Sequence, residues 1–284
     1  MWFFEKKSRR IPADKLLTSA ETESLAQASS LNPEKVTALK NIIKVFELWG
    51  KHGLAETLRI KLSGKRGARI CKDPGALRLN EHALKLKKLE HEIRKACDNY
   101  SKDNDNFPTT IDPESYHVKV ILIFFGDLSG KRVLDIGCGK GRFLRIMKKL
   151  YPRSLLWGLD ISPKMLNFIP KGISRRQGVM TNLPFEDNFF DMVFASQSLE
   201  HAVEVENAVM EMCRVTKVGG KIVVIDKNIK KWGSLATPHW EKWFGQKEVE
   251  SMFRKYCSNV SSEIIPYTEG QKPDGLFIAW KAIR

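Results

Sequence analysis

A chain of 284 residues, 42% hydrophobic and 10% aromatic, holds enough apolar side chains to bury a core, which excludes disorder throughout and any collagen-like repeat. At roughly 150 residues per domain, the length allows about two domains. Lys and Arg number 48 against 33 Asp and Glu, and the net charge of +15 suits an anionic partner (nucleic acid, phospholipid head groups or a phosphorylated metabolite) without choosing among them.

The uncharged apolar run near the middle, residues 120–125, falls far short of the about 20 residues that a membrane-spanning helix needs. Trp2, Phe3 and Phe4 lead straight into Glu5, Lys6 and Lys7, the reverse of a secretory signal, so a cytoplasmic protein is expected. The five cysteines (Cys71, Cys97, Cys138, Cys213 and Cys257) are odd in number, widely spaced and without a CxxC pair. They read as reduced thiols, not as a disulfide framework or a zinc cluster.

Residues 1–32 mix Ser, Ala, Thr and Glu without periodicity and read as a tail or short helix. Asn32 and Pro33 then open an amphipathic helix, with Val36, Leu39, Ile42, Ile43, Phe46 and Leu48 at three- and four-residue spacing, that stops near Gly50. A second helix is predicted from about Asn80 to Tyr100, with Leu84, Leu86, Leu89, Ile93 and Ala96 on its apolar side. Between the two, Arg59, Lys61, Lys65, Arg66, Arg69 and Lys72 face a single acid, Asp73. This run is a candidate anion contact, although a solvated charge run is the commoner outcome.

Residues 101–113 read as a polar linker, after which Asp112 is expected to cap a helix that begins at Pro113 and ends near Phe125. The expected organisation is therefore a helical N-terminal extension over 1–110, acting as a lid, a dimer contact or an anion contact, and a second domain over 111–284. From Lys131 onward, short aliphatic runs (RVLDI, SLLWGLDI, FDMVFA, KIVVID) alternate with helical stretches, the pattern of an α/β domain with a mainly parallel sheet. The last two runs, VSSEIIPY and GLFIAWKAI, suit an antiparallel edge pair.

The chemistry concentrates in VLDIGCGKGRF, residues 133–143. A buried strand ends near Asp135, a turn carries Gly137, Gly139 and Gly141, and a helix starts near Arg142. Glycines at alternate positions allow a close backbone approach to a ligand, and the helix start offers free N–H groups. The third glycine of a GxGxxG dinucleotide motif would fall at position 142, which is Arg142, so the spacing argues against NAD. Asp160 stands at the tip of the next strand, where its carboxylate can accept hydrogen bonds from both ribose hydroxyls. Together the two features point to an adenosyl ligand without a pyrophosphate.

With VLDIGCGKGRF, LDISPKML, GVMTNLPFEDNFFDMVF, SLEH and VGGKIVVID in order over residues 131–226, the chain resembles the class I S-adenosylmethionine-dependent methyltransferases. The resemblance implies a Rossmann-like, mainly parallel seven-stranded sheet and S-adenosyl-L-methionine as cofactor. Asp135 and the turn of Gly137, Cys138, Gly139 and Gly141 would hold its methionine end, Asp160 the ribose, and Ile161 one face of the adenine. Where the family commonly has an Asp for the adenine amino group, this chain has Val179, which leaves adenine to the backbone of Met180 and Thr181. Gln197 is counted with the cofactor contacts. It stands where related quinone methyltransferases carry an acid that helps hold a divalent cation, and no metal is expected.

An activated methyl group needs mainly an aligned nucleophile and a dry site, together with a base for an O or N acceptor. His201, after the fourth strand, is the candidate base, with Glu200 beside it; a structural role for either has equal standing. Residues 227–247 are expected to line the substrate site, with His239, Trp240 and Trp243 as contacts and Lys227, Lys230 and Lys231 available to an acidic group. Tyr116 and His117 are weaker candidates for the cofactor's carboxylate end.

The expected activity is methyl transfer to a small-molecule or lipid-like acceptor, with peripheral membrane contact and a homodimer left open. SLEH replaces the NPPY-type sequence of amino-methylating nucleic-acid enzymes, and no Pro-Cys pair is present for C5 base methylation. An RNA methyltransferase, which the charge favours, and a non-catalytic cofactor-binding subunit, which Val179 and Gln197 keep alive, are the alternatives.

Overall fold

The computed structural model describes the backbone of residues 74–266 and 274–284, with side chains from residue 82 onward. The expected tail, the helix ending near Gly50, the basic run around Arg66 and Cys71 all lie outside the described residues. Chain contacts divide the protein into Met1–Lys87 and Lys88–Arg284, and the sheet and its cavity belong to the second unit.

The first described helix, α1, runs Pro74–Tyr100 and buries Ile93, while Leu84 is exposed. Asp112 caps a turn and not the expected helix: its carboxylate accepts from the Glu114 N–H at 2.9 Å. Helix α2 begins two residues later and spans Tyr116–Phe125. The alternating units follow in order: β1 (Arg132–Ile136), α3 (Arg142–Leu150), β2 (Leu155–Asp160), the one-turn α4 (Pro163–Leu166), β3 (Ser174–Gln177) and β4 (Phe190–Ser196). A 3-10 turn at Leu199–His201 leads to α5 (Val205–Val215), β5 (Thr216–Lys227), α6 (Gln246–Phe253), β6 (Asn259–Ile265) and β7 (Phe277–Ile283).

The strands form one seven-stranded sheet in the order β3-β2-β1-β4-β5-β7-β6. β1 to β5 pair in parallel, whereas β7 inserts antiparallel between β5 and β6. That is the mainly parallel sheet with an antiparallel edge that the sequence predicts.

Side chains alternate between the two faces with a period of two, as the pleat requires. In β4 and β5, Val193, Ala195, Ile222 and Val224 join one apolar cluster with Met212 of α5 and Val249 and Phe253 of α6. Met192, Phe194, Val223 and Ile225 join the other, with Ile121 of α2 and Leu144 and Met147 of α3. Helices thus cover both faces, which is why the central strands read as continuous apolar runs.

Cys97, Cys138, Cys213 and Cys257 are free thiols; Cys213 Sγ and Cys257 Sγ share a hydrogen bond at 3.6 Å and form no disulfide. Among the described residues, no helix is long and apolar enough to cross a membrane.

Candidate active site

The strand order reverses direction between β1 and β4, and in sheets of this kind ligands bind outside the carboxyl ends of the strands at that point. A cavity opens there. About 1180 Å³ of space lies between its walls, the open mouth included. Asp135 of β1, Asp160 of β2 and Ser196 of β4 bring strand tips to its edge, and the glycine turn forms one wall.

Gly137, Gly139 and Gly141 all have positive φ, at 71°, 52° and 78°. The requirement is sharpest at Gly137, where a Cβ would come within 2.4 Å of Ser198 Cβ. Gly141 occupies the N-cap position of α3 and supports the turn from behind without lining the cavity. Asp160 closes the turn, accepting from the Gly139 N–H and the Ser162 N–H, each at 2.8 Å. Burial drives its carboxyl up to about 6, although those two N–H groups favour the ionised form. Burial also raises Asp135 well above the ordinary carboxylate range, with Arg142 opposing the shift.

Three residues of the cavity lining each hold a buried polar atom without a hydrogen-bond partner: Asp135 Oδ2, Ser196 Oγ and His201 Nδ1. Unpaired buried polar atoms are costly, so their convergence marks a place where a ligand completes the bonding.

Apolar walls stand beside the acids: Leu159, Ile161, Met165, Val179 and Met180. A positively charged sulfonium, an ammonium and a ribose diol are the groups that two carboxylates and a backbone cradle can receive, and an adenine ring suits the apolar side. The residues present therefore fit S-adenosyl-L-methionine. Among the residues predicted for it, Asp135, Gly137, Cys138, Gly139, Asp160, Ile161, Met180, Thr181 and Gln197 meet at this one cavity. Gln197 adopts the left-handed backbone region at φ 54°, uncommon for a side chain other than glycine, and its N–H donates to Ile225 O at 2.7 Å.

His201 also lines the cavity, while Glu200 lies buried behind it, its carboxylate Oε1 3.6 Å from His201 Nε2. Burial lowers the imidazole pKa against the pull of Glu200 and Glu241, which keeps the ring neutral at neutral pH. Lys227 is not available to an acidic substrate group as expected. It is buried, and its ammonium donates to both carboxylate oxygens of Glu200, at 2.6 and 2.7 Å, and to Glu241 Oε1 at 2.8 Å.

His239, Trp240 and Trp243 stand outside the cavity walls. Their segment runs back along the end of β5, with Phe244 bridging Asn228 and Lys242 N–H donating to Glu200 O. That course buries Trp243, whose Nε1–H donates to Glu241 Oε1, and leaves His239 exposed, 3.8 Å from Glu92. His117 likewise sits in the core, edge-on to Phe277, its pKa pushed down to about 4 by burial.

Sequence reasoning missed the wall made by Glu90, Ile93 and Cys97 of α1 and by Asn106, Phe107 and Pro108. Two contacts hold it in place. Ser162 Oγ donates to Asp98 Oδ1 at 2.5 Å, and the buried Lys140 donates to Asp103 O at 2.9 Å and Asn104 Oδ1 at 2.8 Å. A lysine directly inside a glycine turn was the available signal.

The sheet order, the glycine turn and the acidic strand tips are similar to those of class I S-adenosylmethionine-dependent methyltransferase domains. The comparisons agree. Residues 134–224 match the family described as "Methyltransferase domain". The demethylmenaquinone methyltransferase of Tropheryma whipplei (strain Twist) is 26% identical over 151 residues, 51% of this chain and 60% of that protein. This chain thus spans less than two thirds of that relative. The ubiquinone/menaquinone biosynthesis C-methyltransferase UbiE of Bdellovibrio bacteriovorus is 26% identical over 206 residues, 68% of this chain and 79% of that protein. Among solved structures, a chain from the complex between the Haloferax volcanii Trm112 methyltransferase activator and the putative methyltransferase superposes with a TM-score of 0.54, at 18% identity, covering 66% of this chain and 96% of that one.

Proposed function

We propose that the protein transfers the methyl group of S-adenosyl-L-methionine to a small, lipid-like acceptor of the quinol or phenol type, with His201 as general base. The observation that carries this reading is that Asp135, Ser196 and His201, each with a buried and unpaired polar atom, line one cavity beside a glycine turn. The quinone-type acceptor is suggested by the two relatives, a demethylmenaquinone methyltransferase and a ubiquinone/menaquinone biosynthesis C-methyltransferase.

The cofactor supplies a methyl group already activated on a sulfonium. Asp160, braced by the Gly139 N–H, would hold its ribose side, and Asp135 would receive its cationic end. Gln197, His201, Ala202 and Val203 continue the wall away from the acids, and Ile93, Phe107 and Pro108 contribute apolar surface. An acceptor held there would give up its proton to His201 as it takes the methyl group that the cofactor supplies, S-adenosyl-L-homocysteine being the leaving group. Residues 88–110 close part of the cavity, and this stretch acts as a lid pinned by Lys140.

The test is transfer of labelled methyl from S-adenosyl-L-methionine to a panel of a demethylated naphthoquinol, simple phenols and RNA. Methylation of a quinol or phenol that His201→Ala slows supports the reading. Exclusive, salt-sensitive methylation of RNA replaces it.

A further inference from the structure

Behind His201, charged groups from three stretches of chain come together: Glu200 of the turn after β4, Asp226 and Lys227 at the end of β5, and Glu241 of the segment before α6. Lys227 bridges both glutamates, Trp243 Nε1–H fixes Glu241 from the other side at 3.0 Å, and the Glu200 N–H donates to Asp226 Oδ2 at 3.1 Å. Ligand atoms of Glu200, His201 and Glu241 lie within 4.8 Å of one another, a spacing that could hold a metal ion. Here the cation in contact with both carboxylates is the Lys227 ammonium.

Such a cluster is a poor device for stability alone, because desolvating charges costs more than packing apolar residues of the same size. Burial and the neighbouring Asp226 push the Glu200 carboxyl up to about 10, and burial raises Asp226 as well, so these two carboxyls hold a proton between them beneath the imidazole while Lys227 also faces Glu241. His201 Nε2 stands at ion-pair distance from Glu200 Oε1, and Nδ1 has no partner.

We propose that Lys227 and Glu241 are positioning residues for His201. Their salt-bridged frame holds the Glu200 carboxylate against Nε2, so that the ring keeps its proton there and presents a bare Nδ1 to the cavity. The pull of Glu200 and Glu241 then stabilises the imidazolium that forms when an acceptor gives up its proton. Acceptors served by this arrangement carry an ionisable hydroxyl or a comparably acidic C–H. The inference rests on the reading of His201 as base.

The groups facing the ring support it with opposed signs. After burial, which lowers the imidazole pKa most, Glu200 and Glu241 raise it while Lys227 and Lys242 lower it. Lys242 lies on the near side, its ammonium donating to Ala202 O, and Asp226 lies behind Glu200.

The experiment is a ring-nitrogen NMR titration of the full-length protein carrying labelled histidine and loaded with S-adenosyl-L-homocysteine. His201 is assigned among the six histidines by the signal lost in His201→Ala. The wild type is expected to show Nε2 protonated and Nδ1 bare at neutral pH. Lys227→Met should raise the proton affinity of His201 roughly tenfold, Glu241→Gln should lower it roughly tenfold, and Lys227→Arg should restore it. A proton on Nδ1, shifts of the same sign or no shift would overturn the proposal. If Lys227→Met fails to fold, Glu241→Gln against Glu241→Asp decides alone, since only the former removes a charge. Undiminished methyl transfer by His201→Ala sinks the base reading separately, and absence of S-adenosyl-L-homocysteine binding sinks the cofactor reading, the titration then being read on the free protein.

Discussion

The substitution Gly137→Ala separates two costs that the structure distinguishes. The first is conformational: φ at Gly137 is 71°, and placing an L side chain in the left-handed region costs about 1–2 kcal/mol. The second is steric. The new Cβ would meet Ser198 Cβ at 2.4 Å and Ser198 Oγ at 2.8 Å, and Oγ is committed to Ile136 O at 2.7 Å. Forcing that overlap belongs to the overpacking range of about 1–3 kcal/mol.

The sum, about 2–5 kcal/mol, lowers the melting temperature by roughly 5–15 °C in a domain of this size. Because the strained residue is the cradle itself, S-adenosyl-L-homocysteine affinity should fall at least about thirtyfold, the equivalent of 2 kcal/mol. Gly130→Ala isolates the first cost: φ there is 72°, and its Cβ would meet nothing within 4 Å. It should lower stability by about 1–2 kcal/mol and leave affinity unchanged. Adding Ser198→Gly to Gly137→Ala removes the overlap but not the strain, so part of the loss should return. Scanning calorimetry and titration calorimetry read both quantities. A Gly137→Ala protein with parental melting temperature and parental affinity would refute the reasoning.

The remaining predictions follow from the same residues. The folded pKa of Asp160 lies above its unfolded value, so ionisation costs the empty fold stability as pH rises through about 6. A ligand that hydrogen-bonds the ionised form gains over the same range, so S-adenosyl-L-homocysteine affinity should climb between about pH 5 and 7, and Asp160→Asn should bind weakly and flatten that climb. His201→Ala should reduce turnover by about 10²–10⁴-fold while cofactor affinity stays within about twofold, as a general base requires; unaltered turnover would make the residue structural. Lys140→Met removes the two bonds to Asp103 and Asn104, so hydrogen exchange over residues 101–108 and the dissociation rate of S-adenosyl-L-homocysteine should both rise severalfold. Equal protection in both proteins would count against the lid.

The α/β class, the strand boundaries around Asp135 and Asp160 and the antiparallel pair were legible because each rests on local spacing: period-two apolar runs, glycines at alternate positions, an acid at a strand tip. The nine cofactor candidates that meet at the cavity come from turns after four parallel strands, and the family's motif order already placed those turns on one edge. What escaped depends on pairing across long stretches of chain. Lys140 reaches Asp103, and Ser162 reaches Asp98, across 37 and 64 residues respectively, and no periodicity announces such a contact. Aromatic enrichment around Trp240 and Trp243 looked like a substrate wall, but the ladder between Lys227 and Phe244 turns Trp243 into the core behind Glu200. The same ladder buries Lys227, whose position after an isoleucine–aspartate strand end resembles that of an exposed lysine until its carboxylate partners are seen.

The most direct measurement is calorimetric titration of the full chain with S-adenosyl-L-homocysteine, repeated with Asp160→Ala. One molecule should bind per chain, and the variant should lose at least about tenfold in affinity, because a ribose diol then faces a wall without acceptors. A folded protein that takes up no nucleoside, or one whose affinity ignores Asp160, would contradict the account.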